Sequence, residues 1–152
     1  MVHEDVDLSY RARLRGFRCW YVADAVVRHV GSGSLGVASP SAVFYGQRNL
    51  EWAWVKNTPR ELLLSTAVSH VAYSMAGLVH YARVGMARAA LKGKWAALRE
   101  LRMVLRDRAR IQASRTASVA DIERLMEPHW LRTKRREKSF ATSRVGPSAR
   151  PS

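Results

Sequence analysis

Residues 3–16, His3-Glu4-Asp5-Val6-Asp7-Leu8-Ser9-Tyr10-Arg11-Ala12-Arg13-Leu14-Arg15-Gly16, set the reading of the whole chain. An acid-rich start suits a helix N-terminus, where Asp5 or Asp7 can cap free backbone N–H groups. Leu8, Ala12 and Arg15 recur at three- and four-residue spacing on one face, and Gly16 suits the left-handed position just past the last turn. The stretch predicts one helix of roughly three turns. Beyond it, residues 17–22 and 25–30 are aromatic and β-branched runs around Ala23-Asp24, which predict two short strands in a hairpin that delivers His29. Acids and a histidine thus fall at element ends. Gly31 to Gly36 and Ser39-Pro40 then form a Gly-Ser loop of the kind that can close over a site.

Composition bounds what can follow. The 152 residues suffice for one ordinary domain, and 26 Lys and Arg against 12 Asp and Glu leave a formal charge of +14. The excess is uneven: 16 basic and 6 acidic residues lie between Arg83 and Lys138, so ten of the fourteen net charges sit there. Such a balance attracts polyanions, either nucleic acid or an anionic membrane leaflet. Cys19 is the single cysteine, which excludes an internal disulfide framework and fits a reducing compartment. The first residues are acidic and polar, unlike a signal peptide.

The middle of the chain reads as helices. Residues 41–57 are rich in aromatics, with Phe44, Tyr45, Trp52 and Trp54, and Thr58-Pro59 ends that helix. Residues 62–82 are 21 positions without a charged side chain, close to a bilayer-spanning length. Thr66, Ser69, His70, Tyr73, Ser74, Gly77 and His80 nevertheless recur as a polar stripe, which suits an interfacial or hairpin-packed helix better than a lone span. After Gly85 a second amphipathic segment places Ala87, Leu91, Trp95, Leu98, Leu101 and Leu105 on one side, with Arg88, Lys92, Arg99, Arg102, Arg106 and Arg110 opposite. This composition fits an anionic lipid surface, with Trp95 at the interface. Ser118 starts a shorter helix, Lys134 to Lys138 is a basic run, and the Ser-, Pro- and Arg-rich end is expected to be a disordered tail.

An acidic pair, one residue, Asp-Leu, two residues, Arg, then Gly five residues later is the pattern of Glu4, Asp5, Asp7, Leu8, Arg11 and Gly16. It resembles the acceptor-side half of bacterial family 2 glycosyltransferases of the GT-A fold, rhamnosyltransferase-like members in particular. The resemblance implies a mainly helical α+β fragment: the acceptor-side part of a GT-A α/β fold over 1–57, a helix plus a short strand pair. Amphipathic basic membrane-associating helices would follow over 58–138, and a tail over 139–152. It implies Asp5 as the base that takes the acceptor proton, Glu4 and Asp7 as its companions, and His29 and Arg48 near the metal and the departing diphosphate. It implies a divalent cation, Mg or Mn, a nucleotide-sugar donor and a lipid-linked or saccharide acceptor at the cytoplasmic face of a bacterial inner membrane. The nucleotide-binding sheet, and the metal-holding Asp-any-Asp motif that follows it, have no counterpart in these residues. The chain by itself is therefore expected to be inactive. The competing reading is a basic amphipathic protein without enzymatic activity that binds an anionic membrane or nucleic acid. No helix-turn-helix, zinc-finger or RNA-binding aromatic motif favours nucleic acid.

Overall fold

The computed structural model describes residues 3–26 and 39–127, together with Arg132. The chain is mainly helical: α1 (Glu4–Leu14), α2 (Pro40–Asn57), α3 (Arg60–Arg83), α4 (Ala87–Arg99), α5 (Leu101–Ala113) and α6 (Val119–Arg124). Among the described residues there is no strand. Residues 17–22, expected as the first strand, run on without a strand partner. Only the tight turn around Ala23-Asp24 is present, where the Ala25 N–H donates to Val22 O at 3.1 Å. The rest of the expected second strand, 27–30, and His29 with it, lie outside the described residues. A β-branched run forms a strand only when a neighbour completes its hydrogen bonds, and nothing described here lies alongside this one.

Helix α1 has its expected three turns, but its details differ from the sequence expectation. Neither Asp5 nor Asp7 caps it. The N-cap is His3, at φ 68°, and no side chain closes the first turn. At the other end Gly16, at φ 81°, sits where the sequence places it. Its N–H donates to Arg13 O at 2.9 Å and that of Phe17 to Ala12 O at 3.0 Å, a Schellman closure. A Cβ at Gly16 would carry that strain and stand 3.2 Å from Thr116 Oγ1. Gly16→Ala should therefore cost about 1 kcal/mol, read as a fall in urea midpoint with unchanged slope. The packed face of α1 is Tyr10 and Leu14 rather than Leu8, Ala12 and Arg15. Leu14 is buried against Leu62 of α3 and Ile122 of α6, whereas Leu8 faces solvent.

Helix α2 is the central element. Pro40 takes its first position, where a missing N–H costs nothing, and Ser39 Oγ accepts from the Ala42 N–H at 3.1 Å. It ends at Thr58-Pro59 as expected, and helix α5 satisfies its last carbonyls. Arg108 Nη1 donates to Val55 O and, at 2.7 Å, to Thr58 O, while Gln112 Nε2 donates to Lys56 O at 3.1 Å and Asn57 O at 3.0 Å. A cation at that end also meets the negative pole of the helix.

The expected second amphipathic segment is two helices, because the chain bends at Glu100. Small residues explain how α4 lies on α2: Ala90, Gly93 and Ala97 are buried along one side, and Val104 continues that seam in α5. A side chain of any size at those α4 positions would hold the helices apart. At 100° per residue, Leu91, Trp95 and Leu98 fall on the same outward half of α4 as Arg88, Lys92 and Arg99. The expected separation into an apolar side and an opposing basic side is corrected accordingly. Apolar and basic residues interleave on one exposed face, and Ala and Gly form the buried one.

Helix α3 is 24 residues, long and apolar enough to cross a membrane. Thr66, His70, Ser74 and Gly77 of its polar stripe turn inward, towards α2 and α4, while Ser69, Tyr73 and His80 are exposed. Apart from Leu62, which is buried, and the half-buried Leu63, Ala67 and Leu78, its apolar residues turn outward. Leu64 is 87% exposed and Val68 79%, and Val71, Met75 and Val79 are exposed as well.

Candidate functional site

The polar stripe of α3 meets a cluster built from three helices. Glu51 is the single acid of α2, and its carboxylate gathers donors from α3 and α4. Glu51 Oε2 lies 2.7 Å from His70 Nε2, and Oε1 accepts from Ser74 Oγ at 2.7 Å and from Lys94 Nζ. Lys94 Nζ also donates to Ser74 Oγ at 2.9 Å. One turn away the His70 ring stacks on Trp54, centroids 4.2 Å apart and planes 9° from parallel. Trp54 Nε1 donates to Thr66 Oγ1 at 3.1 Å, and Thr66 Oγ1 in turn donates to Leu62 O at 2.6 Å. Burial disfavours the charged Glu51, but the bonds from His70, Lys94 and Ser74 outweigh it and hold the carboxyl at about 2.

This arrangement is a clamp. In a nucleophilic triad the imidazole stands between acid and hydroxyl and takes the hydroxyl's proton. Here the acid stands between His70 and Ser74, and the serine donates to the carboxylate, so no base faces its oxygen. An acid near pH 2 that is saturated with donors is a poor proton acceptor at neutral pH. The cluster's work is to join α2, α3 and α4. Beside it, Leu50, Ala53, Trp54, Ser69, His70 and Tyr73 line an apolar groove of about 450 Å³ that reaches Val6 and Tyr10 of α1.

The residues chosen from sequence lie elsewhere. Asp7 is fixed: Arg11 Nη2 stands 3.0 Å away, Lys56 Nζ 3.0 Å, and Asn57 Nδ2 donates to Oδ1 at 2.9 Å. Burial works against the charged carboxylate, but those partners prevail and hold it below the ordinary range. Asp5, two residues earlier, is exposed. Its Oδ1 accepts the Val6 N–H at 2.8 Å, and it has no ion-pair partner among the described residues. It edges a second groove of about 450 Å³ between α1 and α6, with Val6, Tyr10, Ile122, Leu125 and Met126. Glu4 is exposed beside it in the first turn. Arg48 is held inside α2: its guanidinium carbon lies 4.1 Å from the Trp52 ring centroid and 5.0 Å from that of Tyr45, and Nε donates to Asn49 Oδ1 at 3.1 Å. Asp5 and Arg48 thus sit on different elements, and His29 lies outside the described residues.

Among the described residues no three His, Cys, Asp or Glu side chains gather closely enough to hold a divalent cation. Arg88, Lys92, Trp95, Arg99, Arg102 and Arg106 all face outward on α4 and α5.

Sequence reasoning missed Glu51 and Lys94. The available signal was a lone acid within an aromatic helix and a lysine on the Ala-Gly side of α4, since charges placed among packed residues are seldom left without partners. Neither a family model, nor a curated protein, nor a solved structure matches the chain.

Proposed function

We propose that the chain is the acceptor-side, C-terminal portion of a bacterial family 2-like inverting glycosyltransferase that works at a membrane surface. The observation that carries this reading is the unequal treatment of the two aspartates of the motif. Asp7 is immobilised by Arg11, Lys56 and Asn57, while Asp5 stands exposed in the first turn of α1 without an ion-pair partner among the described residues. A base needs a carboxylate that is open to its substrate rather than locked in an ion pair. In this reading Asp5 takes the proton from an acceptor hydroxyl as that oxygen bonds to the anomeric carbon and the sugar's bond to the nucleoside diphosphate breaks. The diphosphate leaves with the bonding electrons, and Asp7 holds the helix that positions Asp5. The donor's nucleotide would be bound by the nucleotide-binding half of such an enzyme. A saccharide or lipid-linked acceptor fits the outward apolar and basic faces of the helices that follow.

A second reading has Asp5 as nothing more than a helix-start residue on a non-enzymatic membrane-surface protein, and its bond to the Val6 N–H favours that. Expression of the reading frame extended upstream of Met1 separates the two. The transferase reading expects an additional domain with an Asp-any-Asp motif, and release of nucleoside diphosphate from a nucleotide sugar. Asp5→Asn should lower kcat about a hundredfold or more with little change in donor KM. A stop codon directly upstream, or an Asp5→Asn enzyme as active as the parent, overturns it.

A further inference from the structure

The clamp around Glu51 has a consequence for how α3 meets lipid. We propose that α3 lies in the plane of an anionic leaflet with both ends on the same side, its apolar stripe sunk between headgroups and acyl chains. The basic outward face of α4–α5 would contact the headgroups. This deepens the membrane placement in the reading above and rests on that placement, but not on the transferase chemistry.

Leu64, Val68, Val71, Met75 and Val79 recur over 16 residues on the outward flank of α3, a stripe of roughly 22 Å at 1.5 Å per residue. That much apolar side chain in water needs a cover. The inward flank decides which cover. Thr66, His70 and Ser74 are bonded to Trp54 and Glu51 of α2 and to Lys94 of α4. Were α3 to cross the bilayer, it would draw those two helices in with it. Helix α4 carries Arg88, Lys92, Lys94 and Arg99 within 13 residues, and α2 carries Arg48, Glu51 and Lys56. So many charges at hydrocarbon depth are prohibitive. Lying flat removes the conflict, since one flank of α3 meets acyl chains and the other keeps its polar partners.

The chemistry of the neighbouring face selects a lipid surface. Trp95, 67% exposed, stands among Leu91, Leu98, Arg88, Lys92 and Arg99 on the outward half of α4. Arg102 and Arg106 continue the charge along α5, and none of these five cations has an ion-pair partner among the described residues. Long basic side chains can reach phosphates while Trp and Leu enter the boundary below them. A nucleic acid would satisfy the cations but leave the apolar stripe of α3 bare.

Two measurements on the full chain test the proposal. The first is flotation with phosphatidylcholine vesicles, with and without a quarter of phosphatidylglycerol. Binding should be at least tenfold stronger to the anionic vesicles, and should fall at least tenfold in the triple variant Arg88→Gln, Lys92→Gln, Arg99→Gln. The second uses a Cys19→Ser background with a cysteine placed at Glu61 or at Ala82, near the two ends of α3. Added to sealed vesicles, both variants should react with a membrane-impermeant maleimide from the outside. Protection of one end alone overturns the in-plane geometry and leaves membrane binding standing. No preference for anionic vesicles, or displacement of the protein from them by duplex DNA at equal charge, overturns the lipid assignment and the membrane placement together.

Discussion

Glu51→Ala should lower the free energy of unfolding by about 2 kcal/mol, the largest loss expected from removing a single polar side chain. In the folded chain the carboxyl titrates at about 2 instead of 4.5. A shift of that size corresponds to roughly 3 kcal/mol, of which we retain about two thirds because part of the carboxylate remains in water. The substitution also takes the carboxylate acceptor from the partly buried His70 and Ser74 and leaves Lys94 with Ser74 Oγ alone, and groups stripped of a partner carry their desolvation less relieved. The effect has a pH signature of definite sign. A carboxyl held below its unfolded value contributes in full above about pH 4.5, and the contribution is lost as pH falls from there towards 2. Urea unfolding of parent and Glu51→Ala in a neutral detergent, repeated from pH 7 to 3, should show the gap closing on the acid side. A gap constant with pH would mean that the carboxylate's charge is not what joins α2, α3 and α4.

Gly93→Ala should cost about 2 kcal/mol, although alanine is the better helix former by roughly 1 kcal/mol. A Cβ built at Gly93 would stand 2.5 Å from Phe44 O, 3.0 Å from Gln47 Cβ and 3.3 Å from Arg48 N. The first and last of these are backbone atoms of α2, which cannot turn aside as a side chain can. Relief would need α4 to move outward along the whole seam of Ala90, Gly93 and Ala97, and Lys94 would be drawn away from Glu51 with it. Gly85→Ala is the control for the opposite situation. A Cβ there meets nothing within 4 Å, and the only strain is the backbone's φ of 76°, so the loss should stay near 1 kcal/mol. Equal losses at the two glycines would show that close helix approach is not what excludes a side chain at Gly93.

The sequence by itself determined the helices wherever the signal was local. Gly16 past the last turn of α1, Thr58-Pro59 after α2 and Ser118 before α6 each act on the two or three peptide groups beside them, and the structure has all three ends there, whereas Ser39-Pro40, read from sequence as loop, opens α2. The length and apolar character of α3 and the basic excess beyond Arg83 followed from composition in the same way. Only the tertiary structure decided which way each helix faces. Periodicity found the polar stripe of α3 but could not say that its Thr66, His70 and Ser74 point inward, because the inward pull on His70 and Ser74 comes from Glu51 and Lys94, 19 residues before and 24 residues after His70. Nor could it say that α4 buries its alanines and Gly93 and exposes Leu91, Trp95 and Leu98. Hydrophobicity ranks side chains by their preference for leaving water, whereas close helix contact ranks them by size, and along α4 the second ranking governs. The acids of α1 divide on the same principle. Locally Asp7 differs from Asp5 only in having Arg11 rather than Ser9 four residues on, and the larger distinction comes from Lys56 and Asn57 at the far end of α2, which reach Asp7 and not Asp5.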